Sequence, residues 1–474
     1  MNPRRVAVIG GGLAGIAAAL DCARAGASVT VLESRGRLGG AAYSFTREGI
    51  PADNGQHVFL RCCTAYLELL AELEASEMVT LQPRLEIPVL APGGRRATLR
   101  RSALPAPLHL TGALARYAFL SPTQRLSVAK AMAALRRIDY EDPAADDRSF
   151  GDWLREHRQD DAAIDAVWGL IVRPTLNLDP REASLAQAAQ VFQVGLLRDR
   201  AAGDIGYARA PLSDIHDVAA RRTLARAGVE VRLRHGVTTI VAGDDGFQIE
   251  ISGAPTLSAD VVVVAVPPDR AARLLPPGAG VDRGRLARLG RSPIVNVHVV
   301  YDRRVMELPF AAGVGTPVQF VFDRTETSGI GTGQYLVVSL SAADAELERT
   351  VDELRVRYLP ALAELFPAAS EAGVEAFFVT RDHSATFRAA PGSRALRPPA
   401  QTPLAGLVLA GSWTDTGWPA TMEGAVRSGK TAAQAAMAAP LRSASREEPS
   451  TVLAPTASVN GHGSQRELAR EGLR

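Results

Sequence analysis

The sequence predicts a mixed α/β fold in which one sheet is assembled from distant stretches of the chain. Val6 to Ile9 is a short apolar run that ends in glycines, which is typical of a buried parallel strand. An alanine- and leucine-rich helix, Leu13 to Ala25, follows it, and Ser28 to Leu32 is a second β-branched, apolar run. The same signal returns in Asp260 to Val266 and in Leu407 to Ala410, so two long insertions interrupt the sheet.

The elements around these strands fit the same sheet. Leu212 to Ala227 reads as a helix, and the alternating residues Val229 to Leu233 read as a further strand. Val237 to Ala242 and Phe247 to Ile251 flank an Asp-Gly turn and predict a hairpin. Met422 to Met437 predicts the last helix.

The order of these elements predicts the domain organisation. We expect a discontinuous, Rossmann-like dinucleotide-binding domain formed by residues 1–76, 211–285 and 385–440. An inserted α+β domain for the substrate would comprise residues 77–210 and 286–384. Residues 441–474 are rich in Ser, Arg, Glu, Pro and Gly, and we expect them to form a disordered tail.

The composition excludes several classes of protein. The 474 residues are 46% hydrophobic, and 53 basic and 51 acidic residues give a net charge of +2. These values exclude a disordered chain, a disulfide scaffold and a collagen-like protein, and we expect no nucleic-acid partner. Cys22, Cys62 and Cys63 do not make a disulfide framework or a metal site; the adjacent pair could be redox-active or two buried small hydrophobes. The apolar run Val6 to Leu20 has 15 residues, fewer than the roughly 18–20 that span a bilayer.

The turn after the first strand carries the pattern of a nucleotide-binding site. Its sequence, GGGLAG, contains GxGxxG directly between a strand and a helix. Gly10 permits the tight turn, Gly12 lets backbone N–H groups approach a pyrophosphate, and Gly15 lets the helix and the strand pack closely. We also assign Leu13 and Ala14 to the cofactor contacts.

Glu33 ends the second strand, 18 residues beyond Gly15. A carboxylate there accepts hydrogen bonds from the adenosine ribose and repels a 2′-phosphate, which favours FAD or NAD over NADP. The stretch ESRGRLGG reads ExxxRxGG, which resembles the second fingerprint of the amine oxidase and phytoene desaturase flavoproteins. Arg37 would offer donors to the phosphates, and Gly39 and Gly40 would leave room beside the cofactor.

The end of the chain carries a second motif of these flavoproteins. Leu409 to Gly429 resembles their C-terminal FAD motif, in which a strand ends at a glycine, here Gly411. A helix then begins, and its N-terminal N–H groups face the flavin, where they stabilise negative charge on the reduced ring. The resemblance places Thr421 and the Met422 backbone at that helix start.

Two positions depart from the family pattern. Ser412 stands where an acidic residue usually binds the ribityl hydroxyls, and Ala41 stands where Arg or Lys usually follows the two glycines. We expect these changes to lower the affinity for FAD without abolishing it. Trp413 and Trp418 could be core residues or walls of the flavin cavity.

Further motifs narrow the resemblance. Asp53 to Val58 (DNGQHV) and Thr414 to Val426 (TDTGWPATMEGAV) are similar to the bacterial squalene-associated, desaturase-like flavoproteins, the hydroxysqualene dehydroxylases of hopanoid synthesis. Arg173 to Asn177, Ala183-Ser184 and Arg381 to Pro391 fit the same pattern. The resemblance extends to the end of the last predicted helix.

This resemblance implies an FAD-dependent oxidoreductase of isoprenoid lipid metabolism that binds FAD non-covalently. It would remove the hydroxyl group of hydroxysqualene, a lipophilic polyprenyl substrate, to give squalene and water, with a hydride from reduced flavin. Gln56, His57 and Val237 are further expected cofactor contacts. His57 or Asp415 could donate the proton, although His57 could instead be structural and Asp415 could cap a turn before Gly417.

Three other functions stay open at this point. The first is a carotenoid- or phytoene-type desaturase, which would run the same cofactor in the oxidising direction. The second is an amine oxidase. The third is a flavin-bound membrane scaffold for prenyl synthases, without catalysis of its own.

The first insertion contains an unusual basic segment. Ile87 to Ile138 has no acidic residue but nine basic ones, with leucines and aromatic residues among them. A basic, apolar, helical region suits an anionic membrane surface, but a solvated arginine face over an ordinary core would look the same. On the first interpretation the protein is cytoplasmic and peripheral on the inner face of the plasma membrane, where upstream squalene-pathway prenyl synthases are candidate partners.

Overall fold

A five-stranded parallel sheet forms the centre of one half of the molecule. The structure, a computed structural model, describes residues 3–440. In spatial order the strands of this sheet are Glu230–Leu233, Ser28–Glu33, Arg5–Ile9, Val261–Val264 and Leu407–Leu409. All four valines of Val261–Val264 are buried, because both faces of the sheet are covered. The predicted parallel sheet and its assembly from distant segments are confirmed.

Helices cover one face of this sheet. Leu13–Arg24 and Met422–Ala438 pack there against each other, and a Cβ at Gly429 would lie 2.2 Å from the Ala14 carbonyl oxygen. Glycine therefore sets how closely these two helices approach. The helix predicted at 212–227 is present as a π-helical turn followed by an α-helix, Asp214–Ala219 and Ala220–Arg226.

A three-stranded antiparallel sheet covers the other face. Its strands are Val237–Gly243, Gly246–Ile251 and Ala254–Ala259, and the first two form the predicted hairpin.

The other half of the molecule is built on a seven-stranded mixed sheet. In spatial order its strands are Val374–Thr386, Ser292–Tyr301, Gln334–Ser341, Phe320–Asp323, Phe310–Gly313, Glu86–Ala91 and Arg95–Arg100. Helix Val351–Leu365 packs on one face of this sheet. The hairpin Ser44–Arg47 and Ile50–Asp53 packs on part of the other face.

Shorter elements complete the described part of the chain. A small sheet joins Val58–Leu60, Ile205–Ala208 and Val79–Leu81. The α-helices not yet given are Thr64–Glu72, Thr111–Ala115, Pro122–Leu135, Pro143–Asp146, Phe150–Glu156, Asp161–Ala163, Gly169–Leu176, Leu185–Phe192, Pro268–Leu274, Arg283–Arg288, Thr325–Ser328 and Asp344–Leu347. The π-helical turns Ile164–Trp168 and Gln193–Leu197 and the 3₁₀ turns Ser76–Met78, Leu108–Leu110, Pro367–Ser370 and Arg394–Leu396 lie between them.

The basic segment is not helical throughout, which corrects the prediction from sequence. Its first part forms the last two strands of the seven-stranded sheet, where Arg100 pairs with Glu86 at 2.6 Å. Arg101 pairs with the buried Asp204 at 2.6 Å. These arginines pair with carboxylates that lie outside the segment. The segment therefore has less unpaired positive charge than its sequence alone suggested.

Two further expectations concern the ends of the chain and the membrane. Within residues 3–440, no helix is long and apolar enough to cross a bilayer. The tail predicted at 441–474 lies outside the described residues. The domain boundaries remain a prediction.

Candidate active site

A single large cavity of about 1850 Å³ runs from the glycine turn to the seven-stranded sheet. It exceeds the roughly 300–1,000 Å³ of an ordinary small-molecule pocket. Most predicted site residues line it, namely Gly10, Gly12, Leu13, Ala14, Glu33, Arg37, Gly39, Gly40, Gln56, His57, Val237, Gly411, Ser412, Thr421 and Met422. Gly15 and Asp415 are not among its lining residues.

The glycine turn is shaped to receive a pyrophosphate. Helix Leu13–Arg24 begins at Gly12, whose extended backbone offers no side-chain cap, so the first N–H groups of the helix stay available to an anion. A Cβ added at Gly12 would meet only the Gly40 Cα, at 3.7 Å, and would otherwise project into the cavity. This backbone cradle fits the diphosphate of FAD.

Gly15 and Gly40 are required by close approach. A Cβ at Gly15 would lie 1.9 Å from the Gly10 carbonyl oxygen, so a side chain there would push the helix off the strand. Gly40 has a φ of +58°, and its Cβ would lie 2.8 Å from the Gly12 Cα. Gly15 therefore supports the cradle from behind, whereas Gly40 forms part of its wall.

Glu33 lies at the floor of the cavity, and its side chain is held in place by neighbouring donors. One carboxylate oxygen accepts a hydrogen bond from the Gly11 N–H at 2.7 Å. The other accepts from the Arg35 N–H at 2.7 Å and the Ser34 hydroxyl at 3.1 Å. A carboxylate accepts about four hydrogen bonds, so capacity remains for a ribose hydroxyl.

Arg37 holds the turn that follows it. Its Nη1 donates to the Leu38 and Gly40 carbonyl oxygens at 3.1 and 3.2 Å, and its guanidinium carbon lies 3.4 Å from the centre of the Tyr43 ring. Burial lowers the pKa of Arg37. Some of the Arg37 N–H groups that we expected to bind the phosphates therefore bind the protein backbone instead.

The C-terminal motif supplies the opposite side of the cavity. Thr421 caps helix Met422–Ala438 by accepting a hydrogen bond from the Gly424 N–H at 3.1 Å. The Gly411 N–H donates to the Ser428 hydroxyl at 2.8 Å, which fixes the strand end against that helix. The helix start at Met422 therefore faces the cavity, as the FAD motif implies.

The two tryptophans have different surroundings. Trp413 is buried and lines the cavity, and its indole N–H donates to the Val266 carbonyl oxygen at 2.9 Å. Trp418 is not a lining residue; the Arg427 guanidinium lies 4.6 Å from the centre of its ring. Of the two, Trp413 has the position of a cavity wall.

Arg397 was not recognised from the sequence. It is buried, and it donates to the carbonyl oxygens of Thr414 and Ser412 at 2.5 and 3.1 Å and to the Thr416 hydroxyl at 3.1 Å. Burial lowers its pKa to about 10. Arg397 shapes the turn that carries Ser412, but no local pattern marks a buried arginine whose acceptors lie 15 to 19 residues away.

His57 lines the cavity as a neutral hydrogen-bond acceptor. Its Nδ1 lies 3.0 Å from the Gly55 carbonyl oxygen, which fixes the proton on Nδ1 and leaves a lone pair on Nε2. Burial lowers the pKa of His57. The imidazole can therefore orient a hydroxyl group, but it is a poor proton donor near neutral pH.

The structure places Asp415, the second candidate proton donor, in an exposed turn. Its side chain is exposed and accepts a hydrogen bond from the Gly417 N–H at 3.4 Å, while its N–H donates to the Pro398 carbonyl oxygen. This is the turn-capping arrangement that the sequence left open. The carboxylate lies outside the cavity lining, so its position argues against proton transfer to a bound substrate.

The cavity wall beyond the glycine turn is largely apolar. Its leucine, isoleucine, valine, methionine and phenylalanine side chains come from helices and strands of both insertions: Leu85, Ile87, Leu99, Leu110, Leu114, Val128, Met132, Val167, Leu170, Leu196, Phe310, Phe320 and Phe322. Polar side chains also line the cavity, among them Arg136, Asn177, Ser339, Ser341 and Thr386. One group of them, the polar patch, consists of Asn54, Gln56, His57, Thr380 and Asp382. The sequence identified Gln56 and His57 but missed the others as site residues.

Comparison with known proteins agrees with this geometry. Residues 13–437 match the family model described as flavin containing amine oxidoreductase. The chain belongs to that family, and it is an FAD-dependent oxidoreductase. Solved structures with the same fold include putrescine oxidase bound to putrescine, with a TM-score of 0.68 at 22% identity, covering 92% of this chain and 99% of that one.

Curated relatives confirm the narrower resemblance found in the sequence. Hydroxysqualene dehydroxylase of Rhodopseudomonas palustris is 30% identical over 443 residues, which cover 92% of this chain and 99% of that protein. A probable zeta-carotene desaturase of Synechococcus elongatus is 27% identical, with coverage of 92% and 99%. The chain is thus similar to enzymes of two named activities.

Proposed function

We propose that this protein removes the hydroxyl group of hydroxysqualene and so forms squalene. The observation that carries the proposal is the polar patch around His57 in a largely apolar cavity. A carotenoid hydrocarbon has no hydrogen-bonding group for such a patch, so binding one there would desolvate polar side chains without repayment. A polyprenyl alcohol offers one hydroxyl, and the Nε2 lone pair of His57 can accept its hydrogen bond.

The size of the cavity supports a long substrate beside the cofactor. About 1850 Å³ is more than one drug-sized ligand occupies. The nucleotide part of FAD fits the glycine cradle, and the apolar wall formed by both insertions is left for a polyene chain. Apolar burial along that chain supplies binding without directional contacts.

The reaction sets a clear demand on the protein. Bound FAD, in its reduced form, supplies a hydride to carbon. The carbon–oxygen bond of the alcohol breaks, a carbon–hydrogen bond forms, and the oxygen leaves as water once it has received a proton. The side chains of this cavity must hold the hydroxyl group, exclude bulk water and bring that proton to the oxygen.

Non-covalent attachment of FAD is part of the proposal. Among the described residues that line the cavity there is no cysteine, and His57 is the lining histidine. Its ring is engaged with the Gly55 carbonyl oxygen. Acid precipitation of the holoenzyme should therefore release the flavin into the supernatant, and flavin that stays with the pellet would contradict this point.

The activity is tested by anaerobic incubation of the holoenzyme with hydroxysqualene and chemically reduced FAD. Mass spectrometry of the lipid extract should show squalene that is absent from the control without enzyme. His57→Ala should convert substrate more slowly while keeping its flavin. Unchanged hydroxysqualene with a flavin-loaded protein would contradict the proposal and would favour a desaturase acting on another polyene, which the carotenoid desaturase relatives make the second candidate.

We also propose that the protein docks on the inner face of the plasma membrane, where prenyl synthases of the same pathway would pass substrate to it. Leu104, Leu108 and Leu126 are 50%, 52% and 58% exposed, although they are large and apolar. Leu108 also lines the cavity, so at least this exposed leucine lies where the cavity reaches the surface, and Leu126 stands on helix Pro122–Leu135, which supplies the lining residues Val128 and Met132. Exposed basic residues on and beside helix Pro122–Leu135, such as Lys130, would meet anionic headgroups.

A further inference from the structure

Three side chains form a hydrogen-bond chain that runs from the protein interior to the polar patch. The Tyr335 hydroxyl lies 2.7 Å from His298 Nδ1, and His298 Nε2 lies 3.0 Å from the Thr380 hydroxyl. Tyr335 and His298 are 1% and 0% exposed. Tyr335, His298 and Thr380 stand on three adjacent strands of the seven-stranded sheet, so the sheet register fixes their spacing.

One end of this chain is in the active-site cavity. Thr380 belongs to the polar patch, and its hydroxyl donates to the Asn54 carbonyl oxygen at 3.4 Å and accepts from the Asn296 side-chain amide at 3.4 Å. The Asn54 carbonyl also accepts a hydrogen bond from the Asn296 side chain at 3.1 Å. The Thr380 hydroxyl is thus the last group of the chain before the space that the substrate would occupy.

The other end is at a second, much smaller cavity. It has a volume of about 10 Å³, which is near the minimum for one water molecule, and Tyr335 lines it together with Asp53, Arg324 and Ser328. These polar side chains can hold such a water. Gln56 lines both cavities, so the two cavities are separated only by the protein layer that contains the hydrogen-bond chain.

The hydrogen-bond chain can transfer a proton without leaving a charged side chain in the protein interior. Burial lowers the pKa of His298 to about 3 and raises the pKa of Tyr335, so both groups are neutral in the resting protein. Tyr335 can donate to Nδ1, and His298 can donate from Nε2 to Thr380. The Thr380 hydroxyl donates to the Asn54 carbonyl oxygen in the resting protein, and it would turn from that oxygen to donate to a substrate oxygen in the cavity. Each group gives up one proton and receives another, so the whole chain stays neutral after the transfer.

We propose that Tyr335, His298 and Thr380 relay the proton that the leaving hydroxyl group of the substrate requires, from the small cavity to the polar patch. The inference rests on the proposed function. Thr380 is the catalytic residue, since it would touch the substrate oxygen, and Tyr335 and His298 act through it. The proton would come from a water molecule held in the small cavity and the hydride from reduced FAD, and the products are the hydrocarbon, water and oxidised FAD.

The relay is tested in single turnovers of the reduced holoenzyme with hydroxysqualene, followed by flavin reoxidation and squalene formation. Thr380→Val keeps the shape but loses the hydroxyl, and we expect a rate loss of about 100-fold, within the range of general acid catalysis. Thr380→Ser should restore most of the rate. Tyr335→Phe should also slow the reaction, whereas Tyr301→Phe, an equally buried tyrosine of the same sheet that packs on its other face, should not.

Two readouts separate proton transfer from structural damage. The solvent deuterium isotope effect should be large in the wild type and should change in Thr380→Val and Tyr335→Phe. Nitrogen-15 NMR of the histidine rings should show His298 protonated on Nε2, with Tyr335→Phe altering the Nδ1 resonance; His298→Gln assigns the signal.

The outcomes also separate this relay from the proposed function. Squalene formation by the wild type, with Thr380→Val and Tyr335→Phe within threefold of its rate and an unchanged isotope effect, would overturn the relay and leave the function standing. A wild type that makes no squalene would overturn both. His298 protonated on Nδ1 would contradict the direction of the chain.

Discussion

The two halves of the cavity are built in different ways. The nucleotide half is formed by the backbone: a Cβ at Gly40 would lie 2.8 Å from the Gly12 Cα, and two helices direct their N-termini at the same space. The substrate half is a side-chain construction, with walls from strands and helices that lie up to hundreds of residues apart. A site formed by the backbone restricts which residue types can stand at fixed positions, so it can be recognised from a sequence motif. A wall of side chains from distant segments produces no such motif.

The largest expected effect concerns a buried ion pair between the hairpin that ends at Asp53 and the seven-stranded sheet. Asp53 and Arg324 form a buried ion pair at 2.8 Å, with side chains 4% and 8% exposed. Asp53→Ala leaves the guanidinium buried and unpaired, and we expect it to destabilise the protein by about 3–5 kcal/mol. Urea unfolding measures this loss. Because the glycine cradle is untouched, the folded fraction should still bind FAD.

Glu326→Ala is the matched control for that prediction. Glu326 pairs with Arg209 at 3.3 Å, but the two side chains are 80% and 54% exposed. Such a pair contributes about 0–1 kcal/mol. If Asp53→Ala cost no more than Glu326→Ala, the buried pair would not stabilise the packing of the hairpin on the seven-stranded sheet.

The next effect is specific to the nucleotide half. Gly15→Ala places a Cβ 1.9 Å from the Gly10 carbonyl oxygen, and overpacking of this kind costs about 1–3 kcal/mol. Because the displaced backbone forms the cradle, we expect FAD affinity to fall roughly tenfold or more. Flavin absorbance relative to protein absorbance measures the occupancy. Gly331→Ala, where a Cβ meets nothing within 4 Å, should keep full occupancy, and equal flavin in both variants would disprove the role of Gly15.

A pH dependence is expected in the substrate half. Burial alone would raise the pKa of Asp204, but hydrogen bonds from Arg101 and Arg61 hold that pKa below its ordinary value. A carboxyl whose pKa is lower in the folded state stabilises the fold above the unfolded pKa of about 3.9, and this contribution is lost as pH falls through the folded value.

Asp204→Asn should therefore be less stable than the wild type at neutral pH, with the difference shrinking on acidification below about pH 4. Thermal melting between neutral pH and pH 3 measures it. Asp161→Asn, whose carboxylate is 85% exposed in its pair with Arg181, should follow the wild type throughout. A constant gap between Asp204→Asn and the wild type at every pH would exclude the lowered pKa as the cause.

Predictability from the sequence follows the same division. The parallel strands, the glycine turn, Glu33 and the start of helix Met422–Ala438 were all predicted, because each depends on local composition and spacing. The seven-stranded sheet was not predicted strand by strand. The residues that its register brings together, Thr380 and His298 among them, were missed because their partners lie on strands distant in sequence.

The smallest effect tests the point where the substrate half meets the surface. The assay is flotation with phosphatidylglycerol vesicles at low salt, in which we expect the wild type to rise with the vesicles. The double variant Leu108→Glu, Leu126→Glu should bind roughly tenfold more weakly, because both leucines would otherwise enter the apolar layer of the membrane. Val356→Glu replaces a residue that is 76% exposed on helix Val351–Leu365, away from the cavity, and should bind like the wild type. Equal loss in both variants would mean that added negative charge alone repels the vesicles. Selective loss at Leu108 and Leu126 would place the membrane at the mouth of the apolar wall, where a lipophilic alcohol can enter without crossing water.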